Sequence, residues 1–510
     1  MRRGLAALAV ALMLVTAGCF NVTSPTQTEP EPTESPPDGE PPTDEPPTTD
    51  PTDSPAPDDP PADRLGWEAG YWYNESISVD RSDGLNDTEL DAVVSRAMAR
   101  VEQIRRLEFN ATVPVRVISR EQFAANRTGQ SYTTRQRLHQ NAKWEAMFVV
   151  NESTNALAVQ ESNTAASVGG FYAIGREEIV IVSENTTSPK MNEITLAQEL
   201  FHALQAQVFD AYNSSWYPGR TTEAHNTADG VIEGDGNYVD HLYEQRCDAG
   251  WDCLLPQNGG SGGAGDVNLG MLSVTLQPYS DGPALAQQFQ QEEGWEAVND
   301  LYANPPASTE QVIHPEKYGV DEPTYPSVED GSSGEWDVLD MGEGRIDHAS
   351  FGEAGLAVMM WYPSNVESQR AGSPQSVVLD YLDFYNFEGG SNELRAIDPY
   401  DYSFPVTSGW DGDRLVPYVT DDSALTNETG YVWEINWDSE DDAAEFVEGY
   451  EQLLAYHGAE SVDGAEHTYR IPEEEDFADA FHVQQDGDTV TIVNAPTVDD
   501  LDSVREGAGA

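Results

Sequence analysis

Thr195-Leu196-Ala197-Gln198-Glu199-Leu200-Phe201-His202-Ala203-Leu204-Gln205 is the stretch on which the reading of this chain turns. Its apolar residues recur at intervals of three and four, which predicts an amphipathic helix over about Glu193 to Phe209. The buried stripe of that helix is Ile194, Ala197, Phe201, Leu204 and Val208. Gln198, His202 and Gln205 share the neighbouring stripe at i, i+4 and i+7, with Glu199 beside it. A glutamate and a histidine three residues apart are common on helices. By themselves they mean a solvated carboxylate and a hydrogen-bonded core histidine. Their meaning here depends on the flanking elements.

Upstream, Phe171–Ile174 and Ile179–Val182 read as a β-hairpin around Gly175-Arg176-Glu177-Glu178. Downstream, a second helix over about Ala228 to Gln245 carries Val231-Ile232-Glu233-Gly234-Asp235-Gly236-Asn237-Tyr238. Each interior glycine costs ~1 kcal/mol relative to alanine, and close packing against another helix would justify both. Hairpin, Glu-x-x-His helix and Glu-Gly-Asp helix in this order resemble the gluzincin zinc metallopeptidases. The wording around them also resembles a group of haloarchaeal surface lipoproteins with a metallopeptidase-like centre, over about residues 170–255.

The resemblance implies a role for each matching residue. His202 would be the second histidine ligand and Glu233 the third ligand. Glu199 would be the general base acting on the metal-bound water. Gln198 stands where the family has its first histidine. Zinc is the implied cofactor, with an incomplete ligand set. A glutamine carbonyl is neutral and a poorer zinc ligand than imidazole. Losing even a group behind the ligands costs about 10–100-fold in affinity or activity. His225, His241, Asp235 and Asp240 are the nearby candidates to replace it, and the two histidines read more simply as surface residues. Two functions follow. One is a degenerate, weakly active or inactive peptidase fold acting as an envelope or peptide-binding module. The alternative is an active zinc endopeptidase with an altered ligand set.

The rest of the chain places this centre outside the cell. Arg2-Arg3, an apolar run from Leu5 to Val15 and Thr16-Ala17-Gly18-Cys19 predict an export signal over residues 1–18, with the twin arginines suggesting the Tat route. Small residues before a cysteine resemble a lipobox, which implies lipid attachment at Cys19. The protein would then sit on the extracellular face of the membrane, held by that lipid. Residues 19–64 are Pro-, Thr-, Asp- and Glu-rich and form a solvated stalk. Asn-x-Ser/Thr sequons at Asn21, Asn74, Asn86, Asn110, Asn126, Asn151, Asn185, Asn213 and Asn427 fit a glycosylated surface protein. Outside the cell, Cys247 and Cys253 are expected to form a disulfide.

The formal net charge is −66, from 91 acidic and 25 basic residues. That charge excludes nucleic acid as a partner. The 11 Trp, 22 Tyr and 15 Phe require a real core, so the acidity belongs to the surface of a folded, halophilic protein. The fold class read from these patterns is α+β. A gluzincin-like domain spans 65–430, with its hairpin and two-helix core, and a small C-terminal α+β domain spans 431–510. In the first, Thr88 to Leu107 reads as a helix capped by Thr88, and Val113 to Ser119 as a strand. Residues 256–350 read as long loops with short elements, and Gly352 to Trp361 as a helix. The second is a strand at Tyr431–Trp437, a helix at Glu440–Tyr456 and three further strands. No nucleophile elbow and no phosphate-binding loop is present.

Overall fold

The computed structural model describes residues 59–509 except 61, 81–82, 128–131, 168–169, 184, 214, 218–220 and 256–266. The export signal, Cys19 and nearly all of the stalk lie outside the described residues. A short ribbon, β1 (Trp67–Glu68) and β2 (Tyr71–Trp72), precedes α1 (Asp87–Arg105), β3 (Val115–Ile118), α2 (Arg120–Arg127), α3 (Thr134–Ala146) and α4 (Ala156–Ser167). Then come β4 (Gly170–Ala173), β5 (Glu178–Val182), α5 (Glu193–Phe209), α6 (Thr222–Asp248), α7 (Leu269–Glu293), α8 (Trp295–Ala303) and α9 (Thr309–Ile313). The C-terminal third holds β6 (Asp337–Val338), α10 (Gly352–Ala371), β7 (Trp410–Val419), α11 (Ser423–Thr426), β8 (Gly430–Trp437) and α12 (Glu440–Tyr456). It closes with β9 (Glu460–Ser461), β10 (Thr468–Arg470), β11 (Ala480–Asp486), β12 (Thr489–Ala495) and α13 (Val498–Val504). The class is α+β. A three-stranded sheet has the order β3-β5-β4, and a seven-stranded sheet has the order β6-β7-β8-β12-β11-β10-β9. No described helix is long and apolar enough to cross a membrane.

The first core packs α1, α5 and α6 against the small sheet. Here β5 pairs antiparallel with β4 and parallel with β3, so the hairpin presents β4 as an outer strand. α1 begins one residue before the expected Thr88, and its cap is Asn86. The Asn86 Oδ1 accepts from the Glu89 amide at 3.1 Å, and the Glu89 carboxylate accepts from the Asn86 amide at 3.0 Å. Glu89 in the third helical position completes this box, which Thr88 could not form. α5 is pinned at its start. Buried Glu193 accepts from Arg96 (2.9 Å), Arg100 (2.6 Å), Tyr243 (2.6 Å) and the Leu254 amide (2.7 Å). Cys247 and Cys253 are joined, and this turn at the end of α6 returns Leu254 to the start of α5.

The expectation of loops across 256–350 is overturned by α7, a 25-residue helix, and by α8 and α9. Pro278, Pro283 and Gly282 read as breakers, but the helix runs through all three, and packing accommodates Pro278 and Gly282. Pro278 cannot donate to the carbonyl of Val274, one turn back. That carbonyl accepts instead from Asn226 Nδ2 of α6 at 2.7 Å. Gly282 meets Gly230 and Gly234 of α6 so closely that a Cβ on Gly234 would lie 2.5 Å from the Gly282 carbonyl carbon. Of the two α6 glycines expected to pack closely on a helix, Gly234 therefore meets α7, and Gly236 meets Phe201 and His202 of α5.

The boundary expected at 431 falls between β7 and β8, which pair antiparallel over almost their whole length. Gly412 and Pro417 hid β7, yet Pro417 keeps its acceptor, which takes the Leu339 amide at 2.9 Å. The sheet therefore starts at β6. α10 extends through Pro363 to Ala371 and lies in the second core, against β7, α7 and α12. Its N-terminus is capped by buried Asp413 of β7. That carboxylate accepts from the amides of Phe351 and Gly352, Ser350 Oγ and Trp433 Nε1, all at 2.9–3.1 Å.

Candidate metal centre between two helices

α5 and α6 lie side by side and bring Gln198, Glu199 and His202 against Asp229, Glu233 and Asp240. On α6 these acids recur at i, i+4 and i+11, one face of the helix. Gly236 on the same face leaves room for the imidazole: a Cβ there would lie 3.4 Å from His202 Cε1. His202 Nε2 is 3.4 Å from Glu233 Oε2. Gln198, Glu199, His202 and Glu233 are between 0% and 1% exposed, so the centre is sealed.

The imidazole is held from behind by a chain of hydrogen bonds. Gln205 Nε2 donates to the Ile232 carbonyl (2.7 Å) and to Tyr302 Oη (2.6 Å). Its Oε1 must therefore accept, and it takes His202 Nδ1–H at 2.8 Å. Tyr212 Oη also lies 2.8 Å from Nδ1. Tyr302 donates to Asp235 (2.8 Å), which is paired with buried Arg105 at 2.9 Å. This order fixes the proton on Nδ1 and turns Nε2 toward Glu233. A histidine ligand needs this support to hold its ring and tautomer.

The other side of the centre is short of partners. Both amide atoms of Gln198, both carboxylate oxygens of Glu199, His202 Nε2, Glu233 Oε2 and Asp240 Oδ1 are buried without a hydrogen-bond partner. Burial lifts Glu199 to about 7, opposed by His202 and assisted by Glu233. Burial, assisted by Glu233, raises Asp229 to about 7 and Asp240 well above the carboxylate range. Burial pulls His202 down, but Glu233 and Glu199 outweigh it and hold the imidazole at about 10. Four carboxyl groups thus surround one imidazole, and the centre has too little positive charge.

Do these residues fit a metal? Two ligand atoms about 2.0–2.1 Å from a tetrahedral zinc stand about 3.3–3.4 Å apart, the spacing of His202 Nε2 and Glu233 Oε2. That pair fits. The third donor does not, because Gln198 offers a neutral amide. Of the four expected replacements, Asp235 is spent on Arg105 and Tyr302. His241 bonds Gln245 at 2.8 Å, and His225 lies against Tyr217. Only Asp240 faces the centre with an unpartnered oxygen. The sequence reading missed Asp229, although its position four residues before Glu233 was a usable signal.

Among the described residues, one group of three acidic or histidine side chains converges at metal-ligand spacing: Glu310, Asp321 and Asp438. Lys317 Nζ already fills it, at 2.6, 2.9 and 2.9 Å from the three carboxylates. An ammonium with three donors satisfies three carboxylates without a metal.

A family model described as a domain of unknown function (DUF8575) matches residues 338–505. The match takes in α10 and nearly all of the seven-stranded sheet, and leaves α5 and α6 outside it. No curated protein matches the chain, and no solved structure does.

Proposed function

We propose that this chain is an exported, lipid-anchored cell-surface protein that keeps the shell of a gluzincin metallopeptidase around a degenerate metal centre. It acts as an envelope or peptide-binding module, with little or no peptidase activity. The observation that carries this reading is the facing pair His202 Nε2–Glu233 Oε2, set among buried polar atoms that lack partners. The pair supplies two donors and Gln198 withholds the third. A divalent cation would be held by His202 and Glu233 and would take the place of the proton on His202 Nε2. When bound, zinc would supply Lewis acidity. Glu199 is placed to hold a proton beside it, and the sealed walls exclude bulk water. Peptide recognition would use β4, an outer strand beside Glu199, by strand addition.

Asp240 Oδ1, unpartnered and facing the same acids, favours the second reading of an active endopeptidase in which this carboxylate replaces the lost imidazole. Metal analysis of the protein purified in molar salt with zinc present separates the two. The degenerate centre predicts well under one zinc per chain in the natural protein and near one in Gln198→His. Stoichiometric zinc that is lost in Asp240→Asn supports the altered ligand set. If Gln198→His binds no more zinc than the natural protein, the mapping of this helix onto the peptidase motif is wrong.

A further inference from the structure

Two phenylalanines in this protein adopt a backbone conformation that bulky residues avoid. Phe148, just after α3, has φ +52°, and Phe477, in the loop before β11, has φ +61°. Each pays about 1–2 kcal/mol that a glycine would not. Strain of this kind points to a function for the side chain held in place. Both rings close on His457. Phe148 stacks on the imidazole at 4.7 Å and 16°, and Phe477 meets it edge-on at 5.0 Å. Their own centroids are 5.2 Å apart.

These residues line a cavity of about 430 Å³ between α10, α12 and the loops after α3 and before β11. That volume lies in the range of small-molecule sites. His457 Nε2 is buried there without a hydrogen-bond partner. Burial, opposed by Asp476, holds this imidazole down at about 4, so it is neutral near pH 7 and retains a lone pair. The charged lining is mostly acidic. Arg370 is the single cation, and Glu367 already takes it at 2.8 Å together with Tyr456 Oη at 2.9 Å. Asp476 accepts from Asn151 at 2.9 Å, and Glu475 stands exposed beside it. Neutral acceptor, aromatic walls and surplus carboxylates together select a cation with an apolar body.

We propose that this cavity binds a small organic ammonium ion, with its N–H groups on His457 Nε2 and the Glu475–Asp476 edge and its apolar part against Phe148, Phe477 and Tyr362. The site is separate from the helix pair α5–α6 and does not depend on the reading of that centre. Calorimetric titration of the protein in molar salt with phenethylammonium, and with phenylpropionate of matching shape, tests it. Saturable one-to-one binding of the ammonium is expected, with no heat from the carboxylate. His457→Phe keeps the ring stack and removes the acceptor, and Glu475→Gln alters only an exposed side chain. Each should weaken binding about tenfold. Equal or tighter binding of the carboxylate overturns the proposal. So does absence of saturable ammonium binding, or ammonium affinity that is unchanged in both variants.

Discussion

Replacing Gly234 by alanine tests the helix contact on which the centre is built. The added Cβ would lie 2.5 Å from the Gly282 carbonyl carbon, 2.6 Å from its oxygen and 2.7 Å from its Cα. Carbon atoms need about 3.5 Å, so α6 and α7 must part by about 1 Å. Every obstacle is backbone, so no rotamer change relieves the clash. Overpacking of this kind costs typically 1–3 kcal/mol, here at the upper end. Alanine returns ~1 kcal/mol through helix preference. The net expectation is a loss of about 2 kcal/mol, read from guanidinium denaturation followed by tryptophan fluorescence in molar salt. Gly282→Ala should lose a similar amount. The double variant should lose less than the sum, because one separation of the helices serves both. Gly389→Ala, with nothing within 4 Å of its added carbon, is the control. If Gly234→Ala is as stable as the natural protein, helix preference has won and the close approach of α6 to α7 is wrong.

Tyr302→Phe removes the link between Gln205 and Asp235 and should cost about 1–3 kcal/mol by leaving buried polar groups short of partners. In NMR spectra it should also shift the His202 Nδ1–H signal, whose acceptor Gln205 loses a partner; an unchanged imidazole signal would contradict the proposed support chain. Asn427 has φ +69°, and its amide group joins Arg137, Asn141 and the Glu152 carbonyl. Asn427→Ala should therefore destabilise by about 2–4 kcal/mol. The same bonding turns this amide nitrogen inward onto the Glu152 carbonyl, so glycopeptide mass spectrometry should find no glycan there, while Asn185, exposed with only its Oδ1 engaged, stays open to one. Buried Glu223 is lifted to about 8 by burial and, to a smaller extent, by Asp413, against the pull of its Thr309 bonds. Its folded form is neutral, so its stabilising contribution is complete below about pH 4 and is lost as pH rises through about 8. Denaturation midpoints should be higher near about pH 5 than near about pH 8.5, and Glu223→Gln should shrink that difference; an unchanged difference would mean that Glu223 folds ionised.

What could be read from the sequence was local. α5 and α12 run over the residues their periodicity indicated, because each has an unbroken apolar stripe and a capping Asn192 or Ser439 at its start. Strands β8, β11 and β12 were legible from their runs of β-branched and aromatic residues. α7 and β7 were not, because their prolines and glycines weigh against regular structure until a partner appears. Asn226 from α6 answers Pro278, and Gly230 and Gly234 answer Gly282. The candidate site divides in the same way. Gln198, Glu199, His202 and Glu233 lie on two helices with readable spacing. The groups that hold His202 do not: Tyr302 is 97 residues from Gln205, and Arg105 is 130 from Asp235.

That division bears on what the proposed centre can do. The chain Arg105–Asp235–Tyr302–Gln205 also packs helices α1, α6 and α8 onto α5, so folding alone maintains it. A well-supported His202 is therefore consistent with either a working or a vestigial metal centre. Gln198 is different. It is fully buried, and neither amide atom has a partner in the protein, so folding gains nothing from its polarity. An apolar residue of similar size would be the more stable choice if the position were only core. An amide at this position makes sense only beside something its carbonyl can serve, whether a weakly held cation or a water bound among the four acids. Gln198→Met separates the cases. If it raises stability and leaves metal content at zero, the centre is vestigial. If it lowers stability or removes a substoichiometric metal, the glutamine is a ligand in its own right.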